Sequence, residues 1–135
     1  MQTEINSVRI VAMNNEITVN ALIRDNLFRI PIYQRSYVWT EKNWDALWQD
    51  ITTVVEKNHK HFIGSIIYSK EAEENDLYLV IDGQQRLTTF TLIVAAVCYY
   101  LADKPQENAK KKLSDFSRDY LFKESGDGNE QRKIR

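Results

Sequence analysis

The chain has 135 residues, of which 43% are hydrophobic and 27% are charged, and its formal net charge is −1 at pH 7. These values fit one globular domain with a modest core and exclude a disordered tail or a large basic DNA-binding face. Cys98 is the single cysteine, which excludes a disulfide framework and favours a reducing compartment. The first residues do not form a signal peptide, and the longest apolar run, residues 92–101, is too short for a membrane span. We therefore expect a cytoplasmic protein without membrane contact.

The first quarter of the chain predicts two short strands with a short helix between them. Residues 8–11 read VRIV and favour a strand. Thr18 can cap a helix that ends near Asn26, because its hydroxyl can accept a hydrogen bond from a first-turn amide. Residues 27–32 resume as a strand, in which Pro31 should lie at the edge or the end, since proline has no amide hydrogen for a ladder.

A long helix and a hairpin follow. Residues 40–58 have helical spacing, and their apolar residues fall on one stripe. The stripe consists of Trp44, Leu47, Trp48, Ile51, Val54 and Val55. Residues 62–69 and 77–81 then predict two strands that pair around an acidic surface loop.

Residues 84–102 predict a helix that is apolar on almost every side, because between residues 87 and 101 only three threonines interrupt it. Such a helix needs cover on most sides, and a small domain offers few elements for that. We therefore expect the chain to be the N-terminal piece of a longer protein. Residues 108–123 predict another helix, and residues 133–135 predict the beginning of a strand. This divides the chain into an N-terminal arm (1–17), a main domain (18–102) and a helical extension with the start of a truncated following region (103–135).

The segment DGQQR, residues 82–86, lies between the strand 77–81 and the apolar helix. One interpretation is a capping box, with Asp82 as N-cap and Gln85 as its partner. The other is a phosphate site, in which Gly83 allows close backbone approach and the first helical amides and Arg86 bind phosphate oxygens. Asp82 would then hold a metal ion or position a water molecule. From spacing alone both interpretations stay open.

Two further segments carry candidate residues. In IPIYQRSYVW, residues 30–39, Arg35 lies between aromatic side chains just past a strand, where a guanidinium can bind phosphate or carboxylate. In HKHFIGS, residues 59–65, His61 starts a strand and can face a ligand. Two histidines and one cysteine do not make a zinc site. Cys98 lies among apolar residues and is expected in the core rather than as a nucleophile.

Together, IPIYQRSYVW, HFIGSIIY and YLVIDGQQRLTTFTLIVAAV resemble the N-terminal domain of GmrSD-type modification-dependent restriction proteins, which also occurs in related phage-defence proteins. The resemblance runs from about residue 18 to residue 101, in the same order. It implies a ParB/sulfiredoxin-like α/β (α+β) domain with a small mixed sheet flanked by helices.

The resemblance also implies a function. Such a domain binds a nucleoside triphosphate with Mg²⁺ and hydrolyses it, coupled to a nuclease domain further along the chain or in a partner, so that DNA is reached through the full-length protein. Carried onto this sequence, the catalytic residues would be Asp82, Gln84, Gln85 and Arg86, with Asp82 as the metal ligand. The nucleotide site would also take in Gly83, Thr88, Gln34, Arg35 and His61.

Two departures limit the resemblance to the wider superfamily. The cysteine-containing phosphate loop of sulfiredoxin is absent, and Gln84, Gln85 and Arg86 stand where ParB has an arginine-rich loop. Two alternatives to the NTPase interpretation remain. One is a DNA-binding or specificity module without NTPase activity, and the other is a ParB-like nucleotide-gated DNA-binding domain.

Overall fold

A computed structural model describes residues 8–12, 15–31, 36–57, 61–71, 76–124 and 128–134. The strands are β1 (Val8–Ala12), β2 (Asn15–Thr18), β3 (Leu27–Arg29), β4 (His61–Lys70), β5 (Leu77–Asp82), β6 (Phe122–Glu124) and β7 (Glu130–Arg132). The helices are α1 (Val19–Arg24), α2 (Glu41–Lys57), α3 (Gln84–Ala102) and α4 (Glu107–Phe116), and a π-helical turn, Ser117–Leu121, follows α4.

Five strands form one mixed sheet in the order β2-β1-β4-β5-β3. The pairs β1–β2 and β4–β5 are antiparallel, whereas β1–β4 and β3–β5 are parallel. The β4–β5 pair confirms the predicted hairpin, and the mixed sheet with its helices confirms the predicted α+β class. Because β5 lies between β3 and β4, its end, where DGQQR begins, adjoins the middle of β4.

The core lies where the sheet meets α1 and α3. Phe28, Leu77 and Val80 are completely buried, and Leu22 of α1 and Leu87 of α3 are almost so. Each such side chain stabilises the fold by about 1.5–3 kcal/mol relative to an exposed one. Thr18 caps α1 as predicted, since its Oγ1 accepts a hydrogen bond from the amide of Ala21 at 3.1 Å. Cys98 is buried, as predicted.

Three elements differ from the sequence-based predictions. Strand β2, which forms a tight hairpin with β1, was not predicted, because its four residues NEIT contain only one large apolar side chain. β3 ends at Arg29, and Pro31 lies beyond it. The helix predicted over 108–123 is wrong after Phe116, where α4 ends and the chain passes through the π-helical turn into β6.

One face of α3 is open in the described part of the chain. Tyr99 is 78% exposed, and Leu92 and Tyr100 are also exposed. We predict that a further part of the chain or a partner covers this face. By length and composition α3 alone among the described helices would suffice to cross a membrane, but core helices of soluble proteins meet the same criteria.

Lys133 ties the C-terminal hairpin to the core. It is only 2% exposed, and its Nζ donates to the carbonyl oxygens of Ile23, Arg24 and Asp119. Its own amide and carbonyl pair with Leu121 and Phe28. Burial lowers the pKa of the Lys133 amine to about 8, with the Asp119 and Asp25 carboxylates opposing that shift. Sequence reasoning missed this role, because a lysine near a chain end is usually solvated.

We predict that Lys133→Met lowers the free energy of unfolding by about 2 kcal/mol, because three carbonyl groups lose their shared donor. Denaturant titration measures this, and Lys112→Met, at an exposed position on α4, is the matched control. Since the folded pKa lies below the ordinary 10.5, the unfolded chain binds more protons between pH 8 and 10.5. The wild type should therefore gain stability relative to Lys133→Met over that window. Equal stability of the two lysine variants would contradict the assignment.

Candidate functional site

The turn between β5 and α3 requires a glycine. Gly83 has a φ of +90°, and a Cβ at this position would lie 2.8 Å from the carbonyl oxygen of Ser65 and 2.9 Å from Cγ1 of Ile66. Both the left-handed backbone and the close approach to β4 exclude a side chain here. The turn is therefore held directly against the β4 backbone.

The capping-box interpretation of DGQQR is wrong. Gly83 itself is the N-cap of α3, without a side-chain cap. The Asp82 side chain bonds within the same turn, where its Oδ1 accepts a hydrogen bond from the Gly83 amide at 2.8 Å. The first helical bond runs from the Leu87 amide to the Gly83 carbonyl. The amides of residues 84–86 therefore have no intrahelical acceptor.

Gln85 joins the two most distinctive segments of the sequence. Its Nε2 donates to the carbonyl oxygen of Ser36 at 3.1 Å, and its Oε1 accepts from the amide of Val38 at 2.8 Å. This paired contact, which we call the Gln85 clamp, spans 47 residues to Val38 and fixes the segment 36–39 beside the start of α3. Gln34 and Arg35 lie outside the described residues, but the clamp holds the residue that follows Arg35.

Arg86 is seated on β4. Its Nη1 donates to the carbonyl oxygen of Ser65 at 2.7 Å. Gly64, at a φ of +114°, lies directly under the guanidinium, because a Cβ there would be 2.4 Å from the Arg86 Cζ. Gly64 and Ser65 therefore form a seat for Arg86. His61 begins β4, and its side chain lies outside the described residues.

A cleft of about 170 Å³ opens beside the turn. It is lined by Trp39 and by the whole DGQQR segment, Asp82, Gly83, Gln84, Gln85 and Arg86. Gln84 is only 9% exposed, and its buried Oε1 has no hydrogen-bond partner among the described residues. A buried acceptor without a donor is costly, and none of the described residues supplies that donor. Thr88 is half-buried on the first turn and does not line the cleft.

The cleft combines groups of both charges. The α3 N-terminus and Arg86 favour an anion, whereas Asp82 is negative and exposed. In the described ranges, no group of three or more His, Cys, Asp or Glu residues is positioned to hold a metal ion. Among the described residues Asp82 alone would be the carboxylate for a cation here, so water or a bound anion would complete its coordination.

A chain of hydrogen bonds links α2, the segment 36–39 and α3 next to the cleft. Trp44 Nε1 donates to the Tyr37 hydroxyl at 2.7 Å, which lies 2.6 Å from Thr89 Oγ1. Thr89 Oγ1 donates to the Gln85 carbonyl at 2.7 Å, so Tyr37 is the donor to Thr89. Sequence reasoning missed this chain, and also the Gln85 clamp. The only sequence signal was the crowding of polar and aromatic residues in both segments.

The fold and the cleft define an α+β domain in which a buried strand turns through glycine into a helix with an open N-terminus. A family model described as "GmrSD restriction endonuclease, N-terminal domain" matches residues 15–134. The chain belongs to this family, as the resemblance of its motifs predicted, and is thus a domain associated with restriction endonucleases. A search of curated proteins found no match.

We predict that Gln85→Met releases the segment 36–39. The Val38 amide loses its acceptor, so its hydrogen exchange should accelerate roughly tenfold. Exchange measured by NMR reports this residue directly. Gln49→Met, at an exposed position on α2, should leave the Val38 rate unchanged. Equal Val38 protection in wild type and Gln85→Met would show that the clamp does not form in solution.

Proposed function

We propose that this chain is the nucleoside-triphosphate-binding and hydrolysing regulatory domain of a modification-dependent DNA restriction protein that acts in phage defence. The observation that carries the proposal is the cleft at the start of α3, with its open helical amides and Arg86. Family membership supplies the restriction context. The DNA and the nuclease are reached through the full-length protein in the cytoplasm.

The phosphates of the nucleotide bind at the N-terminus of α3. Three amides at this end have no helical acceptor, and the helix dipole adds partial positive charge. Arg86 uses one of its five donors on Ser65 and lines the cleft, so donors remain for phosphate oxygens. Its seat on Gly64 holds the guanidinium in place before the ligand arrives.

Asp82 gives the site its requirement for a divalent cation. A carboxylate beside a polyphosphate repels it unless a cation lies between them. Asp82 and the phosphate oxygens together match the oxygen ligands that Mg²⁺ takes in nucleotide sites, where proteins supply one or two carboxylates. Bound Mg²⁺ would supply positive charge that offsets the phosphate charge.

The two glutamines have different roles. Gln84 lines the cleft, and its side-chain amide orients the attacking water. Both ends of the Gln85 amide are occupied by Ser36 and Val38. Gln85 therefore acts as a positioning residue, which fixes the segment 36–39 beside the start of α3.

The test is calorimetric binding of each of the four ribonucleoside triphosphates, with and without Mg²⁺, to the wild type and to Asp82→Asn. The wild type should bind at least one of them more tightly with Mg²⁺. In Asp82→Asn the increase in nucleotide affinity caused by Mg²⁺ should be at least tenfold smaller than in the wild type, because the carboxylate that holds the cation is gone. Asp103→Asn, at an exposed position at the other end of α3, is the charge-matched control.

Binding of none of the four nucleotides would contradict the proposal. An unchanged Mg²⁺ gain in Asp82→Asn would remove Asp82 from the metal site while leaving nucleotide binding in place. Phosphate release by the full-length protein, compared between wild type and Gln84→Met, tests the hydrolytic step. Turnover should fall without an equal loss of nucleotide affinity.

A further inference from the structure

A second, larger cavity lies between α2 and α3. It is a groove of about 390 Å³, which we call the aromatic groove. Its main lining residues are Tyr37, Trp44 and Trp48 on one side and Thr89, Leu92 and Ala96 on the other. Trp48 is 53% exposed, and Trp44 and Leu92 are also exposed. Large indole rings facing water on a soluble domain mark a binding surface more often than chance exposure.

The wall of the groove is fixed before any ligand binds. The Trp44 indole donates to Tyr37, and Tyr37 is linked through Thr89 to the Gln85 carbonyl. These bonds satisfy the polar atoms of the three side chains and leave their apolar surfaces toward the groove. A rigid aromatic wall binds a flat ligand with little loss of side-chain entropy.

The groove and the cleft at DGQQR are neighbours on the same two segments. In the segment 36–39, Tyr37 lines the groove and Trp39 lines the cleft. On α3, the residues of the groove begin with Thr89, one helical turn after Gln85. From Gln85 to Ile93, the middle of the groove, the helix rises about 12 Å. A ligand with its phosphates at the helix start can therefore extend its other end into the groove.

We propose that the aromatic groove binds the base of the nucleoside triphosphate whose phosphates occupy the cleft, with the base stacked on Trp48 or Trp44. The inference rests on the proposed function and extends it to the second cavity. The position of the groove next to the cleft, along α3 and the segment 36–39, selects a nucleotide as occupant. Stacking on indole rings is available to every base, because each has a π face. Asp45, which also lines the groove, is an acceptor and favours a base that presents an amino group.

The test compares a nucleoside triphosphate with inorganic triphosphate, each with Mg²⁺, by calorimetry. The Kd for the nucleotide should rise roughly 5- to 100-fold in at least one of the two variants Trp48→Ala and Trp44→Ala. The Kd for inorganic triphosphate should not change in either variant. Where the alanine variant loses affinity, the phenylalanine variant at the same position should restore most of it, because it keeps an aromatic face. Tyr99→Ala removes an exposed aromatic ring of α3 outside the groove and should change neither Kd. Thermal unfolding confirms that each variant is folded.

The outcomes separate the two proposals. If the wild type binds nucleotide and inorganic triphosphate equally well, or if both alanine variants bind the nucleotide as the wild type does, the base lies elsewhere. The proposed function then stands without this inference. If the wild type binds neither ligand, both proposals fail. Trp44 or Trp48 variants that lose affinity for a short single-stranded oligonucleotide, but not for the nucleotide, would assign the groove to DNA and overturn the inference.

Discussion

The Gln85 clamp is the contact on which the rest of the site depends. One amide side chain makes two hydrogen bonds to the backbone of the segment 36–39 and thereby joins parts of the chain that are 47 residues apart. Because Trp39 then borders the cleft and Tyr37 borders the aromatic groove, both cavities owe a wall to this clamp. Such a two-bond contact with backbone groups fixes position and orientation together.

The DGQQR segment divides its work between side chains and backbone. Gly83 and the Gly64 seat of Arg86 allow α3 to begin in contact with β4. The Gln85 side chain bonds the segment 36–39. Neither Asp82 nor Gln85 provides a side-chain cap for α3. The amides at the helix start consequently remain open. A segment that looks like a run of catalytic groups is thus partly structural, and in the function we propose the chemistry falls to Asp82, Gln84, Arg86 and the backbone amides.

Local pattern predicted the elements that are locally encoded. The bounds of α3, Gln84–Ala102, agree with the sequence, because a β strand, a glycine turn and a long apolar helix each leave a periodic signal. The β4–β5 hairpin follows from two adjacent strand patterns. Strand β2 and the π-helical turn are local elements whose short sequences leave no clear periodic signal. The burial of Lys133 arises from contacts with α1, more than 100 residues away, for which the local sequence has no signature. The same holds for the clamp: sequence singled out Gln85, but not what it bonds.

The most direct test of the account is an NMR titration of the amide-labelled chain with a non-hydrolysable nucleoside triphosphate and Mg²⁺. The open amides of residues 84–86 should show the largest shifts among backbone amides, because phosphate oxygens become their acceptors. The Val38 amide should keep its hydrogen bond to Gln85 throughout. Shifts confined to other surfaces, or none at saturating ligand, would contradict the claim that the start of α3 is a phosphate site.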